Sequence, residues 1–94
     1  MPGAARLGDT CTGHDGWPPR PNDSASSDVF INGKGAHRQG DHWVTHCRRR
    51  RCHDSTCACG SSTVFVNGKP LARIGDAIAC GSTIASGSSD VIAG

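Results

Sequence analysis

The sequence predicts an all-β fold, a compact pseudo-threefold arrangement of short β-hairpins, and three observations predict it. The chain repeats itself: "SSDVFINGKGAHRQGDHWVTHC" is followed by "SSTVFVNGKPLARIGDAIACGS". In both copies a run of β-branched and aromatic residues is punctuated by Asn-Gly and then by Gly-Asp, which are strand and turn signals. Thirteen Gly, five Pro and many Ser leave no segment with helical periodicity.

The elements follow in order. Val29, Phe30, Asn32, Gly33 and Lys34 of one copy match Val64, Phe65, Asn67, Gly68 and Lys69 of the other, and Arg38, Gly40 and Asp41 match Arg73, Gly75 and Asp76. A third copy is split: "AARLGD" near the start supplies Arg6, Gly8 and Asp9, and "SSDVIAG" at the end supplies Val91 and Gly94. "DVFIN" and "TVFVN" read as strands. "NG" reads as a type I′ turn, which needs two successive residues at positive φ. "PLARIGD" reads as the return strand, and its "GD" as a second turn in which the carboxylate accepts backbone N–H groups. Arg6, Arg38 and Arg73 are expected to pair with neighbouring carboxylates or carbonyls. Three hairpins, the last completed by both ends of the chain, would close a ring and protect strand edges. The reading is one domain over 1–94, with repeats at about 1–26 completed by 89–94, 27–61 and 62–88. Residues 10–26, 42–61 and the stretch "GSTIASGSS" read as loops.

Two Phe, two Trp and no Tyr make a thin core for 94 residues, so a staple is expected. No apolar run approaches the roughly 18–20 residues of a membrane span, and the N-terminus has no signal-peptide pattern. The chain is therefore expected to be cytoplasmic when made, where thiols stay reduced. There, six Cys and five His read more readily as a metal site than as disulfides. The net charge of +2 implies no polyanionic partner by itself, although Arg48, Arg49, Arg50 and Arg51 are consecutive.

The repeat also organises the metal-ligating residue types. Just beyond the shared Gly-Asp lie His14 in the first unit, His46 in the second and Cys80 in the third. Three related units bringing three such side chains to one axis suit one Zn²⁺, which takes four N or S ligands in a tetrahedron. His53 is the first choice for the fourth ligand, with Cys47, Cys52, Cys57, Cys59 and His42 as alternatives. His37 aligns with Ala72 and His42 with Ala77, so both are expected on the surface. Structural zinc contributes roughly 10–16 kcal/mol of apparent binding free energy, as much as the whole stability of about 5–15 kcal/mol of a domain.

These motifs resemble the PAAR-repeat family. "KPLARIGD" is the best match, with Leu71 in place of the first Ala, and "GKGAHRQGD" and "GAARLGD" are looser copies. The resemblance implies a sharp β-cone seated on a trimeric β-helical spike, either a VgrG protein of a type VI secretion system or a phage tail spike. It also implies one structural zinc near the apex held by three His and one Cys, here His14, His46, His53 and Cys80. A pseudo-threefold monomer can cap a threefold trimer. The spike-facing surface is expected at Val29, Phe30, Ile31, Val64, Phe65 and Val66, extending the spike's sheet by β-augmentation. The implied role is a structural tip that sharpens the spike for puncture, in transient contact with the target membrane and delivered outside the cell or into a target cell. Some relatives carry a fused toxin; a chain stopping at Gly94 is expected to be a bare tip, with effector cargo travelling separately if at all.

Rival readings are a small zinc-dependent nucleic-acid-binding module using Arg48–Arg51 against phosphates, an enzyme, and a disulfide-stapled secreted protein. Aromatic stacking residues for nucleic acid are nearly absent. Asp9, Asp41 and Asp76 recur with the repeat and so read as turn-formers, not as one-off catalytic groups. The expectation is no enzyme activity and no small-molecule substrate.

Overall fold

A computed structural model describes residues 2–13, 17–48 and 51–94, with His46, Arg48 and His53 described by their backbone. Among the described residues there is no helix. Six strands form three two-stranded antiparallel ladders: β1 (Phe30–Ile31) with β2 (Lys34–Gly35), β3 (His42–Arg48) with β4 (Arg51–Thr56), and β5 (Phe65–Val66) with β6 (Lys69–Pro70). The domain is small and all-β, as expected.

The Asn-Gly turns follow from local stereochemistry. Asn32 and Gly33 have φ of 53° and 78°, and Asn67 and Gly68 have 54° and 78°. Both pairs have positive φ at successive residues, as a type I′ turn requires. The third hairpin is formed by two distant segments. Gly3 bridges Ile92, and the Ala4 N–H donates to the Val91 carbonyl at 2.9 Å. The same bond is Ala36 to Val29 in the first complete copy and Leu71 to Val64 in the second.

The hairpins are joined by a closed cycle of hydrogen bonds. The Ala5 N–H donates to the Ala72 carbonyl (2.9 Å), Ala72 to His37 (2.9 Å), and His37 back to Ala5 (3.1 Å). An outer cycle repeats the pattern, from Leu7 to Gly35, Gln39 to Pro70 and Ile74 to Gly3. Each unit thus donates to a neighbour and the last to the first, so every unit has its edge groups satisfied.

Two apolar clusters make up the core. One is built from the hairpins: Ala4, Ile31, Ala36, Val66, Leu71 and Ala93. The other is built from the ring residues and the segments after the Gly-Asp turns: Ala5, Cys11, Trp43, Cys57, Ala72, Ile78 and Ile84, with Cys80 packed against it. Cys11, Trp43 and Ile78 each lie two residues beyond their repeat's Asp, so one core position is a thiol, an indole and a branched alkyl in turn.

Three expectations need correction. His37 is not a surface residue; it is fully buried, because its position lies on the closed cycle where the other units have Ala5 and Ala72. Residues 42–48 and 51–56 are not loop. They form the longest ladder among the described residues, with Cα partners His42–Thr56, Trp43–Ser55, His46–His53, Cys47–Cys52 and Arg48–Arg51, and a bulge between Trp43 and His46. Ile31 and Val66 are buried, since strand alternation turns them away from the face that exposes Phe30 and Phe65.

Candidate functional site

The most regular polar feature is the Arg-x-x-Asp turn, built three times. In each, one carboxylate oxygen accepts from the backbone N–H and the Nε of the Arg three residues earlier, and the other accepts from Nη2. The distances are 2.7, 3.1 and 3.0 Å for Arg6–Asp9, 2.9, 2.9 and 2.9 Å for Arg38–Asp41, and 2.8, 3.0 and 2.9 Å for Arg73–Asp76. The glycine between them adopts φ of 89°, 91° and 91°, a region that favours residues without Cβ. The expected roles of these arginines and aspartates are therefore observed. Burial opposes ionisation of Asp41, but the bonds from Arg38 outweigh it and hold its pKa below the usual carboxylate value. Hydrogen bonding to Asp9, Asp41 and Asp76 respectively raises the pKa values of Arg6, Arg38 and Arg73.

The turns also connect neighbouring units. Arg6 Nη1 donates to the Asn32 side chain at 3.1 Å, and Arg38 Nη1 to that of Asn67 at 3.0 Å. Ser88 and Ser26 donate to the same two Asn oxygens. Each Asn that makes a positive-φ turn is thereby tied to the next unit.

On the outer face of the hairpins, equivalent positions carry apolar side chains. Val29, Val64 and Val91 are one set; Phe30, Phe65 and Ile92 are the other, 61%, 56% and 51% exposed. Large apolar groups this open, repeated three times, are candidates for a contact surface. Val91 and Ile92 join a surface that the sequence pattern alone confines to two strands.

The candidate ligands are described in part. His14 lies outside the described residues. His46 and His53 are Cα partners in the β3–β4 ladder, which places them opposite each other on one face. Cys80 has a half-buried free thiol. No group of three or more His, Cys, Asp or Glu forms a metal cluster among the described residues, which include the side chain of only Cys80 from the proposed four. The donor chemistry, three imidazoles and one thiol, fits zinc, and the register of His46 against His53 fits two ligands from one ladder.

All but one of the alternatives for the fourth ligand are otherwise engaged. Cys47 and Cys52 are joined in a disulfide across the ladder, which leaves them without a thiol to offer. His42 Nδ1 lies 2.6 Å from Asp23 and Nε2 2.9 Å from Asp54, so both ring nitrogens are held by carboxylates, which raise its pKa, Asp54 more than Asp23. Burial pushes the Cys57 thiol up to about 12, and its sulfur donates to the Cys59 carbonyl at 3.1 Å. Cys59 is exposed and free.

Sequence reasoning missed two buried polar groups beside this region. Arg20 is buried within the Pro-rich segment, against Cys11, Cys80 and Val44. His37 stands edge-on to Trp43 at 5.2 Å and donates from Nδ1 to the Ser24 carbonyl at 2.8 Å. Burial lowers the pKa of His37, so its neutral form, with the proton on Nδ1, is favoured. The signal for His37 was available, because alanine at the matching position is what tight packing requires.

Comparison with known proteins agrees with the repeat pattern. The PAAR motif profile matches residues 12–86. The chain belongs to the PAAR motif family. It is 33% identical over 75 residues to the NAD(P)(+) glycohydrolase toxin Tse6 and, equally, to the (p)ppApp synthetase toxin Tas1, both of Pseudomonas aeruginosa. In each case the match covers 73% of this chain and 17% of the relative, so the chain spans about a sixth of the length of these curated proteins.

Proposed function

We propose that this chain is the zinc-stapled tip of a type VI secretion or related contractile spike, a mechanical part that catalyses no reaction. The observation that carries the reading is the closed cycle through Ala5, Ala72 and His37 with apolar pairs at matching places outside it. A surface repeated three times is complementary to a partner that is itself a trimer, since each unit can meet one subunit in the same way. The partner is a trimeric β-helical spike of the VgrG or phage-tail kind, which docks on the hairpin face through Val29, Phe30, Val64, Phe65, Val91 and Ile92. Family membership supports this reading, and the two matched relatives are toxins, which fits a tip that travels with effector cargo.

His14, His46, His53 and Cys80 would hold one zinc at the other end of a cone, where the apolar clusters give out. Four protein ligands leave no open coordination position, which makes the ion a fastener and not a Lewis acid. The ladder β3–β4 would bring two of the four residues, the segment after Asp9 a third, and the segment after Asp76 the fourth.

Two measurements on the purified chain test the proposal. Metal analysis is expected to find one zinc per chain, lost on substitution of Cys80→Ala together with His46→Ala. Co-purification with a trimeric spike protein is expected for the native chain and not for Phe30→Asp with Phe65→Asp. Equal capture of the native and doubly substituted chains would overturn the docking face.

A further inference from the structure

Arg20 has a setting unlike that of any other arginine described. It is 4% exposed, and no carboxylate lies within ion-pair distance of it among the described residues. Its hydrogen bonds go elsewhere. Nε donates to the Val44 carbonyl at 2.6 Å, Nη1 to the Cys11 sulfur at 3.2 Å, and Nη2 to the Cys80 sulfur at 3.5 Å. The guanidinium lies over Trp43, 5.6 Å from the ring centroid. The Arg20 backbone is held as well: its N–H points at the Cys11 sulfur (3.4 Å), and its carbonyl accepts the Cys11 N–H (3.0 Å).

The three acceptors belong to three different units. Cys11 is three residues before His14, Val44 is two before His46, and Cys80 is itself a candidate ligand. One side chain therefore touches the segment that presents a candidate ligand from each repeat. A guanidinium is well shaped for such bridging, because its donors are fixed in one plane and point in several directions, whereas an ammonium offers a single point. Burying a guanidinium is costly, and a function that requires the placement accounts for its presence.

We propose that Arg20 is a positioning residue of the metal centre: it gathers the three ligand-bearing segments and aims the Cys80 sulfur by an N–H···S hydrogen bond. This rests on the zinc reading above. A sulfur coordinated to a metal carries negative charge, and Nη2 already faces it. Partners of this kind, one bond removed from a metal, typically alter affinity by about 10–100-fold when changed.

The test uses the full chain loaded with Zn²⁺ or with Co²⁺, comparing the native protein, Arg20→Met, Arg20→Gln and Cys11→Ala. Zinc affinity is read by competition with a chromophoric chelator, and sulfur ligation by the cobalt–thiolate charge-transfer band. Arg20→Met is expected to weaken zinc binding at least about tenfold and to shift the band. Arg20→Gln, which retains a donor for Val44 but not the fork, is expected to do the same and serves if the Met variant does not fold. Cys11→Ala removes an anchor that is not a ligand, and the band is expected to persist. Native affinity with an unmoved band in both Arg20 variants overturns the assignment and leaves the zinc reading intact, whatever happens to thermal stability. A native chain that takes up neither ion overturns both.

Discussion

Replacing Asp41 by Ala measures how much an Arg-x-x-Asp turn contributes. Its carboxylate accepts from the Arg38 backbone N–H, Nε and Nη2, all at 2.9 Å, and from the Ser24 hydroxyl at 3.1 Å. A solvent-exposed ion pair is worth about 0–1 kcal/mol, whereas breaking a buried one costs about 3–5 kcal/mol. Asp41 is 4% exposed and Arg38 14%, so the turn lies near the buried limit. The expected loss is about 3 kcal/mol, a large share of a small domain's stability. In urea, with a slope of roughly 1.5 kcal/mol/M, that lowers the unfolding midpoint by about 2 M. The zinc-saturated chain is the sample, and the slope should not change. Asp9→Ala and Asp76→Ala should behave alike, since their turns repeat the geometry. Because the folded pKa of Asp41 is depressed, its contribution is present above the unfolded value near 3.9 and fades as pH falls through the folded value. The deficit of the variant should therefore shrink in acid. A loss below about 1 kcal/mol at pH 7 would show that these are surface pairs and refute the reasoning.

Three further outcomes are expected. Trp43→Ala empties the largest fully buried side chain and should cost about 3–5 kcal/mol by the same urea titration, with a loss under about 1 kcal/mol contradicting its place in the core. Gly60→Ala puts a Cβ 2.7 Å from the Pro70 Cβ and should cost about 1–3 kcal/mol. Adding Pro70→Gly should recover much of that loss, and strict additivity would show that the two do not meet. The two described histidines with shifted pKa act oppositely on pH: His42, raised, contributes fully below about pH 6.5 and loses that contribution as pH rises through its folded value, whereas His37, lowered, costs stability as pH falls below about 6.5. His42→Gln should abolish the alkaline-side decline of unfolding free energy at saturating zinc; a decline that survives the substitution assigns it elsewhere.

What could be read in the letters was what local stereochemistry dictates. Asn-Gly favours the positive φ of a type I′ turn and Gly-Asp a turn with Gly at positive φ, and both recur, so the hairpins and the Arg-x-x-Asp turns were legible before any coordinates. The β3–β4 ladder was not, because a bulge after Trp43 breaks the alternation and a run of four arginines carries no strand pattern. The inward side of Ile31 and Val66 was within reach of simple alternation from Phe30 and Phe65. Arg20 was illegible for a deeper reason. Nothing local distinguishes an arginine in "WPPRPN" that is buried against two sulfurs from one in solvent, since its partners come from other units. Of the candidate ligands, spacing pointed to His14, His46 and Cys80 and the family resemblance to His53, and the ladder register adds that His46 and His53 are Cα partners.

The split hairpin bears on how the chain can be made. The N–H groups of Ala4, Ala5 and Leu7 donate to Val91, Ala72 and Gly35, all of them downstream. This segment leaves the ribosome before the residues it bonds to and waits until Val91 has been translated, which at about 5–20 residues per second takes on the order of ten seconds. Throughout that interval it offers "PGAARLGD", with Leu7 as its one large apolar side chain. A strand that must wait longest for its partners is thus nearly devoid of the groups that would make premature association attractive.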